Sequence, residues 1–289
     1  MSILLRINAA LGAAFVLALL ASGLVCKLTL ESNARREVLA EAALMMDSAI
    51  AMRAYTANQI EPLLVEHLKN EFLPQSVPFY AATQNFLKLR ERHPQYSYKE
   101  ATLNPTNPRD RATDWESDII QRFRNDPTAQ QVVGERETPM GPSLYLARPI
   151  RAEAKCLTCH GLAAQAPRTE IASYGSDNGF GWHEHEVVGA SVVSVPLSSA
   201  QASSDRTWRT VMGSLAVLFL GLFVLTNVVL YLMVLRPLQR VTAIADRLSV
   251  GDSSAPEFPA VGSGEIQQLV LAFVRMRKSL AKAMQLLEP

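Results

Sequence analysis

Residues 211–235 read VMGSLAVLFLGLFVLTNVVLYLMVL, with no charged side chain between Arg209 and Arg236. A helix needs about 20 apolar residues to cross about 30 Å of hydrocarbon, so this stretch is expected to span a membrane, with Tyr231 as an interfacial anchor. A second charge-free run, INAALGAAFVLALLASGLVC at residues 7–26, ends at Lys27. Its place near the N-terminus fits a signal peptide too, but only Arg6 precedes it and no Ala-x-Ala cleavage site follows. Val25 is also too large for the residue before a lipoprotein cysteine. The run reads as an uncleaved anchor. Two spans then divide the chain into an N-terminus at 1–6, a span at 7–30, a central domain at 31–207, a second span at 208–235 and a tail at 236–289.

Composition agrees with a chain that lies partly in lipid: of 289 residues, 48% are hydrophobic and 19% charged. With 28 basic against 27 acidic residues there is no global charge for nucleic acid, which is excluded as a partner. Three cysteines are too few for a disulfide framework. The charges beside the spans do not orient the molecule, because Arg6 is countered by Lys27, Arg35 and Arg36, and Arg236 and Arg240 follow the second span. Orientation has to come from chemistry.

That chemistry lies in Lys155-Cys156-Leu157-Thr158-Cys159-His160. Cys-x-x-Cys-His is the attachment signature of a c-type haem. Two thiols three positions apart on one helical turn reach the two haem vinyl groups as thioethers. The histidine that follows ligates the iron from the proximal side. A zinc site would need about four ligands, and the chain has no second cysteine pair. A thioredoxin-type pair would want a βαβ context, which the flanks do not offer. The reading is therefore one covalently bound haem c on Cys156 and Cys159, with His160 as iron ligand. Such attachment takes place on the outer face of the bacterial inner membrane, which puts residues 31–207 in the periplasm and both termini in the cytoplasm. Of the other histidines, His67 reads as a solvated helix residue and His93, before Pro94, as a helix end. His183 and His185 read as a surface turn rather than a metal pair.

Helical spacing runs over residues 31–68, with Leu39, Ala43, Met46, Ile50, Ala57, Ile60 and Leu64 as its apolar stripe. Residues 80–92 predict a helix ended by Pro94, and residues 113–124 a helix with a capped start. Residues 95–103, 130–137, 143–150 and 187–195 predict strands. The expected class is α+β, an antiparallel sheet with flanking helices.

Tyr98-Lys99-Glu100-Ala101, Asn104-Pro105-Thr106-Asn107-Pro108, Asp114-Trp115-Glu116, Ala147-Arg148-Pro149-Ile150, Cys156 to His160, Gly179-Phe180-Gly181-Trp182 and Gly189-Ala190 follow one another in order. Over residues 40–197 this resembles the bacterial periplasmic c-haem sensor domains, long filed as a domain of unknown function. The resemblance implies a PAS-like antiparallel sheet holding the haem, and a redox- or ligand-sensing role. Arg53 and Tyr55 match its pattern. Met46 is the candidate distal ligand, since thioether ligation raises the potential. Met45, Met52, a histidine or an open position are the alternatives, and core filling is the plainer use of these methionines. Arg53, on the same helix face as Met46, is a candidate partner for a haem propionate.

In the tail, Leu238, Val241, Ala245 and Leu248 recur at 3-4-3 spacing up to a break at Gly251-Asp252. A connector with Pro256, Pro259 and Gly262 leads to Ile266, Leu269, Phe273, Met276 and Leu280. Two heptad segments of this kind predict a parallel coiled-coil bundle, and the pattern resembles a HAMP domain. Gly264 departs from it, where many members carry an acidic residue. The resemblance implies a homodimer through the HAMP and membrane helices, and relay to a separate cytoplasmic protein such as a kinase, cyclase or chemoreceptor-type output. No nucleotide-binding motif such as Gly-x-x-x-x-Gly-Lys occurs. The expectation is a transmembrane haem-c redox or ligand sensor rather than an enzyme, with lipid and a second copy as partners. A membrane-tethered electron-transfer cytochrome is the alternative, for which a HAMP unit would serve only to dimerise.

Overall fold

The computed structural model describes residues 3–68, 71–139, 141–252, 254–258 and 264–287. They form two compact units, Cys26–Trp208 on one hand and Met1–Val25 with Arg209–Pro289 on the other.

In the unit Cys26–Trp208, strands β1 (Ser97–Thr102), β2 (Val132–Thr138), β3 (Gly141–Arg151) and β4 (Val187–Pro196) form one sheet in the order β1-β4-β3-β2. Every pairing is antiparallel, with Tyr98 opposite Val193 and Leu146 opposite Val193 on the other side. Side chains alternate across a pleated strand, and the two sets go to different helices. Tyr98, Leu144, Leu146, Val193 and Val195 face α1 (Ile3–Tyr55) and α3 (Pro78–Arg92), whose Val38, Ala42, Met46, Ala49, Ala82 and Phe86 complete that core. Ala101, Val132, Ala147, Ala190 and Val192 face α4 (Asp114–Asn125), which adds Ile119, Ile120 and Phe123. Covering on both faces is why β4 reads as a nearly continuous apolar run rather than an alternating one. The α4 start is closed by a capping box, Thr113 with Glu116.

The structure departs from the sequence expectation at three places. Of the expected α1 stripe Met46 is fully buried, but the other residues that disappear into the core are Ala34, Val38, Ala42, Met45 and Ala49, one step round from it, with Leu39, Ala43 and Ile50 only partly buried. The alanines bring the α1 backbone close to the sheet and the larger side chains flank the contact. The expected helix over residues 31–68 is also interrupted: Thr56–Ile60 is π-helical and α2 (Glu61–Leu68) follows. Pro62 has no N–H and its ring would crowd the carbonyl four residues back, and the amide of Glu61 bonds Thr56 O, five residues back, as the chain widens ahead of it. The short helix α6 (Arg168–Tyr174) was not expected at all. It follows α5 (Leu157–His160), the single turn that carries Cys159 and His160.

In the other unit, Phe15 of α1 stacks on Phe219 and meets Phe223 edge-on, both from α7 (Ser198–Leu230). These are two helices long and apolar enough to cross a membrane. A second π-helical turn, Tyr231–Leu235, stands just ahead of Pro237, as the first does ahead of Pro62. Beyond it, α8 (Arg236–Ser249) and α9 (Glu265–Leu287) pack through Val241, Ile244 and Val270, with Phe258 of the connector between them. Gly251, at φ +84°, ends α8 as expected, with its amide on Leu248 O and that of Asp252 on Arg247 O. Arg277 staples the connector to α9 through the carbonyls of Pro256 and Ala255, at 2.8 and 3.0 Å. Within one chain α9 buries Val270, with Phe273 and Val274 beside it, while Leu269 and Met276 of the expected stripe stay exposed. Pro259, Gly262 and the side chain of Leu280 lie outside the described residues.

Candidate functional site

β3 runs out at Arg151, and a 3-10 turn (Ala154–Cys156) leads straight into α5. Cys156 and Cys159 therefore sit one turn apart, as their spacing requires, and both are free thiols. The Cys156 Sγ accepts the amide of Glu153 at 3.4 Å. Burial pushes the Cys159 thiol up to about 12, and the neighbouring carboxylates of Glu170 and Glu61 add to it. Both effects favour the thiol over the thiolate, the form that acts as nucleophile and metal ligand. Among the described residues no group of three or more His, Cys, Asp or Glu side chains is placed to hold a metal ion.

His160 has one ring nitrogen fully engaged. Its Nδ1 lies 2.8 Å from the carbonyl oxygen of Gly179, with Thr106 Oγ1 at 3.4 Å. A carbonyl accepts only, so Nδ1 carries the proton and Nε2 keeps its lone pair. Burial lowers the pKa of the ring, which keeps it neutral, although the Gly179 bond works the other way. The indole of Trp182 covers one face of the imidazole, centroids 4.1 Å apart and planes 22° apart. Gly179 comes this close because it is a glycine: φ is +87°, and a Cβ there would strike Thr106, its Oγ1 first and its Cα and N at 2.9 Å.

A neutral imidazole with its lone pair on Nε2, beside two thiols on the same turn, fits a haem held by thioethers and a proximal histidine. Leu162, two residues further, leaves 64% of its side chain in the open, an apolar surface such a group would cover. Glu170 of α6 is buried against Cys159, and its Oε2 has no hydrogen-bond partner among the described residues. Sequence reasoning missed Trp182 and Glu170 as parts of the site, because only the fold brings those segments to His160.

The remaining candidates lie elsewhere on the α1 face of the sheet. Met46 is wholly enclosed with Leu144, Leu146, Val193 and Val195, whereas Trp182, the ring neighbour of His160, packs on Ile150, Ala152 and Val188. The structure does not bring Met46 into the cluster beside His160. Arg53 lies with its guanidinium 4.5 Å over the Phe79 ring and reaches Glu100 Oε2 at 3.5 Å and Ser191 Oγ at 3.2 Å. Ser191 donates to the same Oε2 at 2.8 Å, and Tyr98 OH donates to Oε1. Burial pushes the Glu100 carboxyl up to about 7, against the pull of Arg53 and Ser191. Phe79 joins the cluster of Trp182 and Leu157, so Arg53 is one ring removed from the α5 turn. His183 and His185 are exposed in a turn, His185 at φ +68°.

Residues 31–196, more than half of the chain, match the model of the Tll0287-like family. The chain belongs to that family. Residues 229–282 match the HAMP domain, so a Tll0287-like domain is followed by a HAMP domain. Among solved structures the chain is similar to the cyanobacterial haem-protein Tll0287, at 18% identity and a TM-score of 0.45, over 55% of this chain and 95% of that one. No curated protein matches.

Proposed function

We propose that the chain is a membrane-anchored haem-c sensor whose central Tll0287-like domain lies in the periplasm and whose HAMP domain relays the state of the haem to a cytoplasmic output protein. Haem would be bound through thioethers from Cys156 and Cys159, with His160 Nε2 on the iron. The observation that carries this reading is the hydrogen bond from His160 Nδ1 to Gly179 O, at 2.8 Å, directly behind the Cys-x-x-Cys pair. It fixes the tautomer that an iron ligand needs. A haem held by Cys156, Cys159 and His160 would supply redox-active iron. The protein's own part is to hold the imidazole neutral, cover one of its faces with Trp182, and tie its surroundings to α1 through Phe79 and Arg53. The HAMP match favours signalling over simple electron transfer, since a HAMP unit converts a small helix displacement into an output and an electron carrier has no use for one. Such a unit completes its bundle with a second copy, so the working form is a homodimer.

Purified from cells able to mature cytochromes c, the protein is expected to keep its haem through acid-acetone extraction and to give a c-type pyridine haemochrome. Replacing both Cys156 and Cys159 by alanine should abolish the retained haem. Haem that washes out of the unaltered protein, or stays in the double variant, would overturn covalent attachment.

A further inference from the structure

The segment from Gly179 to Trp182 is laid against the segment from His160 to Gly161 by three hydrogen bonds. His160 Nδ1 donates to Gly179 O at 2.8 Å, Gly181 N to Gly161 O at 2.7 Å, and Trp182 N to His160 O at 3.1 Å. Gly179 and Gly181 both lie at positive φ, +87° and +79°, which lets the chain turn tightly enough to present a carbonyl at one end and an indole at the other. A single hydrogen bond at Nδ1 aims the imidazole within its own plane but leaves it free to tilt about that bond. The indole, 4.1 Å away and inclined by 22°, closes the face through which the ring would tilt. Nor is the indole itself loose. It packs with Phe79 of α3 and Leu157 of α5 onto Ile150 and Ala152 at the end of β3 and Val188 of β4.

We infer that Trp182 is a positioning residue for His160: it fixes the plane of the imidazole, and with it the orientation in which Nε2 meets the iron. The inference rests on the haem reading above and adds to it. The plane of an axial imidazole sets how the iron d orbitals split, so it is read directly in the g values of the ferric protein. A tryptophan that merely filled the core would leave those values alone once its volume was replaced.

The test compares full-length Trp182→Phe, Trp182→Met and Trp182→Leu with the unaltered protein. Pyridine haemochrome counts the attached haem, and low-temperature electron paramagnetic resonance reads the ferric iron. The expected result is full haem attachment in all four, g values in Trp182→Phe close to those of the unaltered protein, and shifted or broadened g values in the other two. The midpoint potential should move in the same order. Haem attached as usual but g values unchanged in Trp182→Met would overturn the positioning role and leave the haem reading standing. If Trp182→Leu fails to accumulate, Trp182→Met, whose unbranched, flexible side chain adapts better to an irregular gap, decides. No covalent haem in the unaltered protein would sink the haem reading, and the positioning role with it.

Discussion

Met46 has no exposed surface and sits where α1 meets Leu144, Leu146, Val193 and Val195. Shortening it to alanine is expected to cost about 2–5 kcal/mol, the range for a large side chain removed from a packed core, measurable as a lower denaturant midpoint. Met46→Leu keeps the volume and should cost less than about 1.5 kcal/mol. The same leucine variant tests iron ligation, because it removes the thioether. The packing leads us to expect an unchanged ferric near-infrared spectrum and potential in Met46→Leu. Loss of a His/Met charge-transfer band would instead make Met46 the distal ligand. At this scale Cys156, Cys159 and His160 are marked as candidates by their spacing alone. Gly179, Trp182 and Glu170 are not, because each reaches His160 or Cys159 across a loop or helix whose path no local pattern specifies.

The contact between α1 and the sheet has an apolar core, with ion pairs to the strands at Arg35–Glu135, Asp47–Arg148 and Arg53–Glu100. Glu100 of β1 faces Arg53 from α1, Ser191 from β4 and Tyr98 from its own strand, with the Asp110 carboxylate also acting on it. Folded, it holds its proton up to about 7, against an ordinary value of 4.5. Between those pH values the folded state binds a proton that the unfolded state has released. This group's contribution to stability is therefore fully present at low pH and is lost as pH rises towards 7, by on the order of 3 kcal/mol. Unfolding of the full-length protein in detergent, followed from pH 4.5 to 8, should show that decline, and Glu100→Gln should flatten it. An equal slope in both would place the titration elsewhere. The elements themselves were largely legible: strands expected at 95–103, 130–137, 143–150 and 187–195 are found as Ser97–Thr102, Val132–Thr138, Gly141–Arg151 and Val187–Pro196. Strand β4 is legible as a nearly continuous apolar run because both faces of the sheet are covered by helices. The α1 stripe was misplaced by one residue, since helical spacing cannot say whether alanine or leucine faces the partner when close approach favours the smaller.

Taken whole, the chain places a Tll0287-like domain between two apolar helices and a HAMP domain behind the second. Local charge does not orient it, with Arg6, Lys27, Arg209 and Arg236 distributed on both flanks of the spans. The proposed chemistry would: covalent haem attachment at Cys156 and Cys159 would require the central domain to be exported, and two spans would then return the HAMP domain to the cytoplasm. Alkaline phosphatase folds only where its disulfides form, and green fluorescent protein exported unfolded does not fluoresce. A phosphatase fusion after Leu197 should therefore be active and one after Ser249 inactive, with fluorescent-protein fusions at the same points giving the reverse pattern. Activity at both points would mean that the second apolar helix does not cross. Activity only after Ser249 would put the cysteines on the side where haem c is not attached. That result would contradict the covalent site itself, because Cys156, Cys159 and His160 have the geometry for attachment but not, in that compartment, the machinery.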